Sequence, residues 1–170
     1  MTGVIRRARP EALPLLADIE RDAARLFLTA GLPDIAEAAP TPLAFLQAIA
    51  RCGVVFVATE DDHPVGFILV GFLDRAAHIH EFCVTVEHGR KGLGRRLVEE
   101  ACRFAAAESM PAVTLSTFRD IPWNGPFYER LGFRYLDRDE WTPALYLLHH
   151  REIDLGLPVD RRGFMRKELT

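Results

Sequence analysis

The sequence has few cysteines, no strong excess of either charge and no long apolar run, and each absence excludes something. Its three cysteines, Cys52, Cys83 and Cys102, show no metal-ligand spacing, and bridging any two would strand the third. Reduced thiols, no bound metal and a cytoplasmic location are therefore expected. No apolar stretch approaches the roughly eighteen residues needed to cross a bilayer, and the opening MTGVIRRARPEAL lacks the apolar segment of a signal peptide. No membrane partner is expected. A formal net charge of -3, with pI about 6.1, denies the chain the basic face that a nucleic-acid partner requires, so any anion site has to be local. Repeats, linkers and low-complexity segments are also missing, which predicts a single domain over residues 1–170.

What is present is ordinary globular composition, 49% hydrophobic and 26% charged, arranged in readable periods. A short β-like stretch, Gly3 to Arg7, precedes a helical recurrence of apolar residues from Ala12 to Leu26. The proline- and alanine-rich segment from Gly31 to Pro42 reads as a loop, with Thr41 as N-cap of a second helix through Ala50. Val54 to Thr59 and Val65 to Leu73 read as a hairpin across a four- to five-residue loop, and Ala77 to Val86 as a further strand. Leu93, Leu97, Val98, Ala101, Phe104 and Ala105 form one helical stripe opposite Arg95, Glu99, Glu100 and Arg103. Pro111 to Phe118, Phe127 to Leu131 and Phe133 to Leu136 then read as strand, short helix and strand. An apolar helix from Trp141 and a last strand near Gly163 to Glu168 close the chain.

The densest chemistry lies in His88-Gly89-Arg90-Lys91-Gly92-Leu93-Gly94-Arg95-Arg96. Glycines allow close backbone approach to a ligand, and the helix that follows offers unpaired N–H groups and a positive dipole end. Four basic side chains at a helix N-terminus would oppose the dipole unless a polyanion sat there. A pyrophosphate suits the arrangement. No Walker A run occurs, and Leu97 stands where the third glycine of a dinucleotide fingerprint would be.

A strand ending in Val84, followed by Gly92 and Gly94, resembles the signature of the GNAT acyltransferase superfamily, although Gly89 replaces its first Arg or Gln. Asn124, Tyr128, Gly132 and Phe133 resemble the family's later motif. The resemblance implies an α/β fold with a mixed, largely antiparallel sheet flanked by helices. It further implies acetyl-CoA as co-substrate, and transfer of its acetyl group by direct attack of a primary amine. The acceptor is then a small-molecule amine or a protein amine. The implied cradle consists of Arg90, Lys91, Gly92, Leu93, Gly94, Arg95 and Arg96, mostly through backbone amides. Phe82, Cys83 and Val84 would supply backbone N–H groups to the oxyanion. Tyr128 would protonate the departing thiolate, and Asn124 would either touch the cofactor or cap the helix.

A base must take the amine proton, and His80 or Glu81 is favoured, with His78 behind them. Alternation puts His78 and His80 on one face of their strand and Glu81 on the other. Cys83 as a covalent nucleophile lacks a partner base. Phe118 and Trp123 read as packing residues, Arg119 as a surface charge, and His149 and His150 as solvated. Two questions stay open at this level: whether the cradle serves catalysis or a non-catalytic acyl-CoA sensor, and whether the chain forms a homodimer.

Overall fold

The computed structural model describes residues 3–169. Seven strands form one sheet in the order β1-β2-β3-β4-β5-β7-β6. These are β1 (Val4–Arg7), β2 (Val54–Glu60), β3 (His63–Leu73), β4 (Ala76–Val84), β5 (Ala112–Phe118), β6 (Arg134–Tyr135) and β7 (Arg162–Glu168). The β1–β2, β2–β3, β5–β7 and β6–β7 pairs are antiparallel, while β4 and β5 run parallel. The helices are α1 (Leu16–Ala24), α2 (Leu26–Thr29), α3 (Pro33–Ala36), α4 (Leu43–Cys52), α5 (Leu93–Ala107), α6 (Gly125–Arg130) and α7 (Pro143–Asp154). This is the mixed, mostly antiparallel α/β arrangement expected.

The chain divides into two compact units, one running up to Gly71 and resuming at His80–Arg103, the other formed by Phe72–Ile79 and the chain from Phe104 onward. In the first unit the apolar stripes of α1 and α4 meet the inner face of β2 and β3. Leu16, Ile19, Leu46 and Ile49 pack with Val55, Val57, Phe67 and Leu69, and Cys83 joins them from β4. Burying each such side chain contributes about 1.5–3 kcal/mol before chain entropy is charged against it. Within the second unit β5 and β7 pair over their full length, from Ala112↔Glu168 to Phe118↔Arg162. A smaller core of Leu136, Leu145 and Phe164 packs beside Trp141 and Leu148.

Three local expectations need correction. The β2–β3 hairpin turns on two residues, Asp61 and Asp62, with φ of 48° and 65°, so it is tighter than a four- to five-residue loop. Aspartate tolerates the left-handed conformation that such a turn demands. The segment after Gly31 is not all loop, because Pro33 opens the short α3. Thr41 does not cap α4: Pro42 occupies that position, and the Thr41 hydroxyl and N–H both turn to Glu20.

Candidate functional site

In the first unit, β4 ends at Val84 and the chain makes a 3₁₀ turn over Val86–His88 before reaching the glycines. Arg90 and Gly92 both adopt left-handed backbone, with φ of 58° and 80°, a geometry through which loop N–H groups converge on an anion. The first intrahelical bond of α5 runs from the Arg96 N–H to the Gly92 carbonyl, 3.1 Å. Hence the amides of Leu93, Gly94 and Arg95 lie ahead of the helix's own acceptors. A Cβ added at Gly92 would meet nothing within 4 Å, so this side of the turn is open.

The four basic side chains are not equivalent. Arg90 and Lys91 are exposed. Arg95 donates to Glu99 at 2.7 Å along the helix, and Arg96 donates to the Gly3 carbonyl at 2.7 Å. Arg96 thus ties α5 to the start of the chain.

Glu81 accepts the Phe82 N–H at 3.0 Å, and the Cys83 thiol lies 3.5 Å from the same oxygen. Of the three amides expected to serve an oxyanion, that of Phe82 is therefore engaged by the neighbouring carboxylate. Burial, reinforced by the negative charges of Glu81 and Glu20, pushes the Cys83 thiol well above its usual range, which removes the thiolate that a covalent route would require. His80 sits edge-on to Phe45, with ring centroids 5.4 Å apart, and its Nε2 would lie only 2.7 Å from a Cβ at Gly71. Ile49 borders the same spot and shares a core with Cys83. His80 and Cys83, three apart, thus reach one helix layer, so β4 departs from strict alternation.

Glu20 has no motif to mark it, and its importance is visible only in three dimensions. Half-buried on α1, it accepts the Thr41 N–H at 3.0 and 3.1 Å and the Thr41 hydroxyl at 3.2 Å. Burial raises its pKa despite these bonds.

In the second unit, Asn124 stands at the N-cap of α6, but its side chain makes no cap and donates instead to the Trp123 carbonyl at 3.2 Å. Tyr128 is 5% exposed, with its ring edge-on to Phe127 and Phe133 at 5.2 and 5.7 Å. His78 is buried, and its Nδ1 lies 2.8 Å from the Thr114 hydroxyl.

Phe118 is buried, as a packing residue should be, and Arg119 is exposed as a surface charge should be, while its guanidinium also stacks 4.4 Å over Tyr135. His149 is half-buried beside Trp141, 5.1 Å between centroids, and His150 is exposed. A polar cluster with no sequence signature joins Ser116, Glu152 and Arg162, where Arg162 donates to Glu152 at 3.0 Å and the two side chains are only 14% and 13% exposed. Among the described residues, no helix is long and apolar enough to cross a membrane.

Residues 51–135 match the family model described as acetyltransferase (GNAT) domain. Among solved structures, the chain resembles the PaiA N-acetyltransferase of Thermoplasma acidophilum, crystallised in complex with coenzyme A, at 18% identity and TM-score 0.72, covering 99% of this chain and 100% of that one. An acetyltransferase of Streptococcus agalactiae 2603 is similar at 22% identity and TM-score 0.70, with 99% of each chain covered. The ribosomal-protein-S18-alanine N-acetyltransferase of Escherichia coli is similar at 17% identity and TM-score 0.68, covering 99% of this chain and 94% of that one. At these identities the likeness is one of fold.

Proposed function

Because the chain belongs to the GNAT acetyltransferase family, we propose that it transfers the acetyl group of acetyl-CoA to a primary amine by direct attack. The observation that carries this reading is the glycine turn between β4 and α5. It leaves the amides of Leu93, Gly94 and Arg95 ahead of the helix's own acceptors, opens at Gly92, and keeps Arg90 and Lys91 in solvent. A pyrophosphate satisfies those amides and reverses the unfavourable meeting of basic side chains with the helix dipole. Coenzyme A in the crystal of the PaiA enzyme supports the same reading. One acetyltransferase domain over residues 1–170, at work in the cytoplasm, is part of the proposal.

Within it, Glu81 is the base and His80 a packing group, since His80 is wedged over Gly71 against Phe45. The amine nitrogen forms its bond to the thioester carbonyl carbon as the C=O pair moves to oxygen. Glu81 takes the ammonium proton. In turning to do so, its carboxylate gives up the Phe82 N–H, which then donates to the oxyanion. When the tetrahedral carbon collapses, the C–S bond breaks with its electron pair on sulfur and Tyr128 supplies the proton.

Thiol release from acetyl-CoA across a panel of amines tests the activity. Tyr128→Phe is expected to lower kcat by roughly 10²–10⁴-fold at unchanged coenzyme A affinity, the usual worth of a positioned proton donor. Glu81→Gln should remove the acidic limb of the pH–rate profile. Undiminished turnover by the phenylalanine variant would overturn the acid assignment. Tight coenzyme A binding with no amine consumed by any acceptor would favour the sensor instead.

A further inference from the structure

The segment that launches the phosphate turn is pinned from three sides by groups that the reaction itself does not use. The Thr85 N–H donates to the Val65 carbonyl at 2.9 Å, and the Val86 N–H donates to the Asp22 carboxylate of α1 at 2.7 Å. The third pin is a relay. His88 Nδ1 lies 2.7 Å from the Thr85 hydroxyl and His88 Nε2 lies 2.6 Å from a Glu60 carboxylate oxygen at the end of β2. The His88 side chain is only 13% exposed. An ionised carboxylate can only accept, so Nε2 carries the proton, and in the neutral ring Nδ1 accepts from Thr85. Hydrogen bonding to His88 is also the main influence holding the Glu60 carboxyl below its usual range.

We propose that His88, held by Glu60 and Thr85, is a positioning residue that keeps the Gly89–Gly94 turn in its phosphate-binding shape before coenzyme A arrives. A turn that contains Gly89, Gly92 and Gly94 loses much backbone entropy when it is ordered. If that ordering is completed on folding, binding does not have to supply it. The relay is anchored on the β2–β3 hairpin, whose register is fixed by Glu60↔His63 and the Asp61–Asp62 turn. The loop thus inherits the rigidity of the sheet. The inference rests on the reading of the turn as a coenzyme A cradle.

The test uses the full chain and two readouts, amide hydrogen exchange without ligand and coenzyme A affinity by calorimetry. His88→Ala is expected to speed exchange over residues 85–94 with little change elsewhere. It should also weaken coenzyme A binding about tenfold, the order of one charge-assisted hydrogen bond. The KM for acetyl-CoA should rise to match, with kcat at saturation within about twofold. His88→Gln, whose amide nitrogen replaces the Nε2 donor to Glu60, should recover most of the affinity, and Glu60→Ala should add little to His88→Ala.

Unchanged exchange at 85–94 in His88→Ala overturns the proposal whatever the affinity does. So does faster exchange with coenzyme A affinity equal to the parent's. A His88→Ala chain that loses kcat and KM together and exchanges faster throughout marks a general staple of the fold, and also overturns it. A parent chain that binds no coenzyme A removes the proposed function, and this inference falls with it. Faster exchange at 85–94 together with weakened coenzyme A binding in His88→Ala, in a parent chain that binds coenzyme A, supports both.

Discussion

At the scale of single residues, the most constrained position beside the candidate base is Gly71. A methyl group there would stand 2.7 Å from His80 Nε2, too close to be tolerated in place, and 3.2 Å from Ile49 Cδ1, a tight contact. Gly71→Ala is expected to displace the imidazole and cost about 1–3 kcal/mol, measurable by chemical denaturation, as other overpacked sites do. Glu20 is a second such position. Its carboxyl is raised by burial, so between its ordinary value of 4.5 and its folded value the native state holds more protons than the unfolded chain. Stability must therefore fall as pH rises through that window. Glu20→Gln should flatten this part of the profile and be as stable as the parent, or more so, at neutral pH. Thermal melts from pH 4 upward would check it, and a variant that keeps the parent's slope would contradict it.

Among the elements, the turn at Asp137–Glu140 is tied by charge. Glu140 accepts from Arg134 at 2.8 and 3.0 Å and from the Asp137 N–H at 2.8 Å, closing a capping box. The Arg134 hydrogen bonds first, and the Asp137 amide second, lower its pKa from 4.5 to about 2. The group is depressed, so its contribution is complete above 4.5 and is lost as pH falls toward about 2. In Glu140→Gln the acid limb of the stability curve should become shallower across that interval, while the melting temperature at pH 7 changes little because the pair is exposed. High salt should reproduce part of the effect in the parent chain.

Over the whole molecule, what could be read from sequence was whatever repeats with a period. The stripe from Leu93 to Ala105 is buried as a unit, and β2, β3 and β5 fall on their apolar runs. The hairpin loop is shorter than its sequence suggests, because Asp61-Asp62 lacks the glycine that usually marks a two-residue turn. The polar pairs stayed hidden for a different reason. Glu20 finds Thr41 across 21 residues and Glu60 finds His88 across 28, and no local pattern encodes a partner at that separation. For the candidate site, the glycine turn was legible because backbone chemistry leaves its mark in residue type. The engagement of Phe82 by Glu81 was not, since it depends on a side-chain rotamer.

The burial of Cys83 has a practical consequence for anyone who follows acetyl transfer with a disulfide dye. Of the three thiols, Cys52 is exposed, Cys102 is half-buried, and Cys83 is both enclosed and held protonated by its surroundings. Attack on such a dye requires thiolate and access. The native chain should therefore titrate with one rapid equivalent from Cys52 and a slower one from Cys102, with Cys83 reporting only after denaturation. Replacing Cys52 by serine should abolish the rapid phase. Once the slower Cys102 equivalent has also reacted, further colour can be assigned to released coenzyme A, and the enzyme's own sulfur becomes a fixed offset instead of a drifting background.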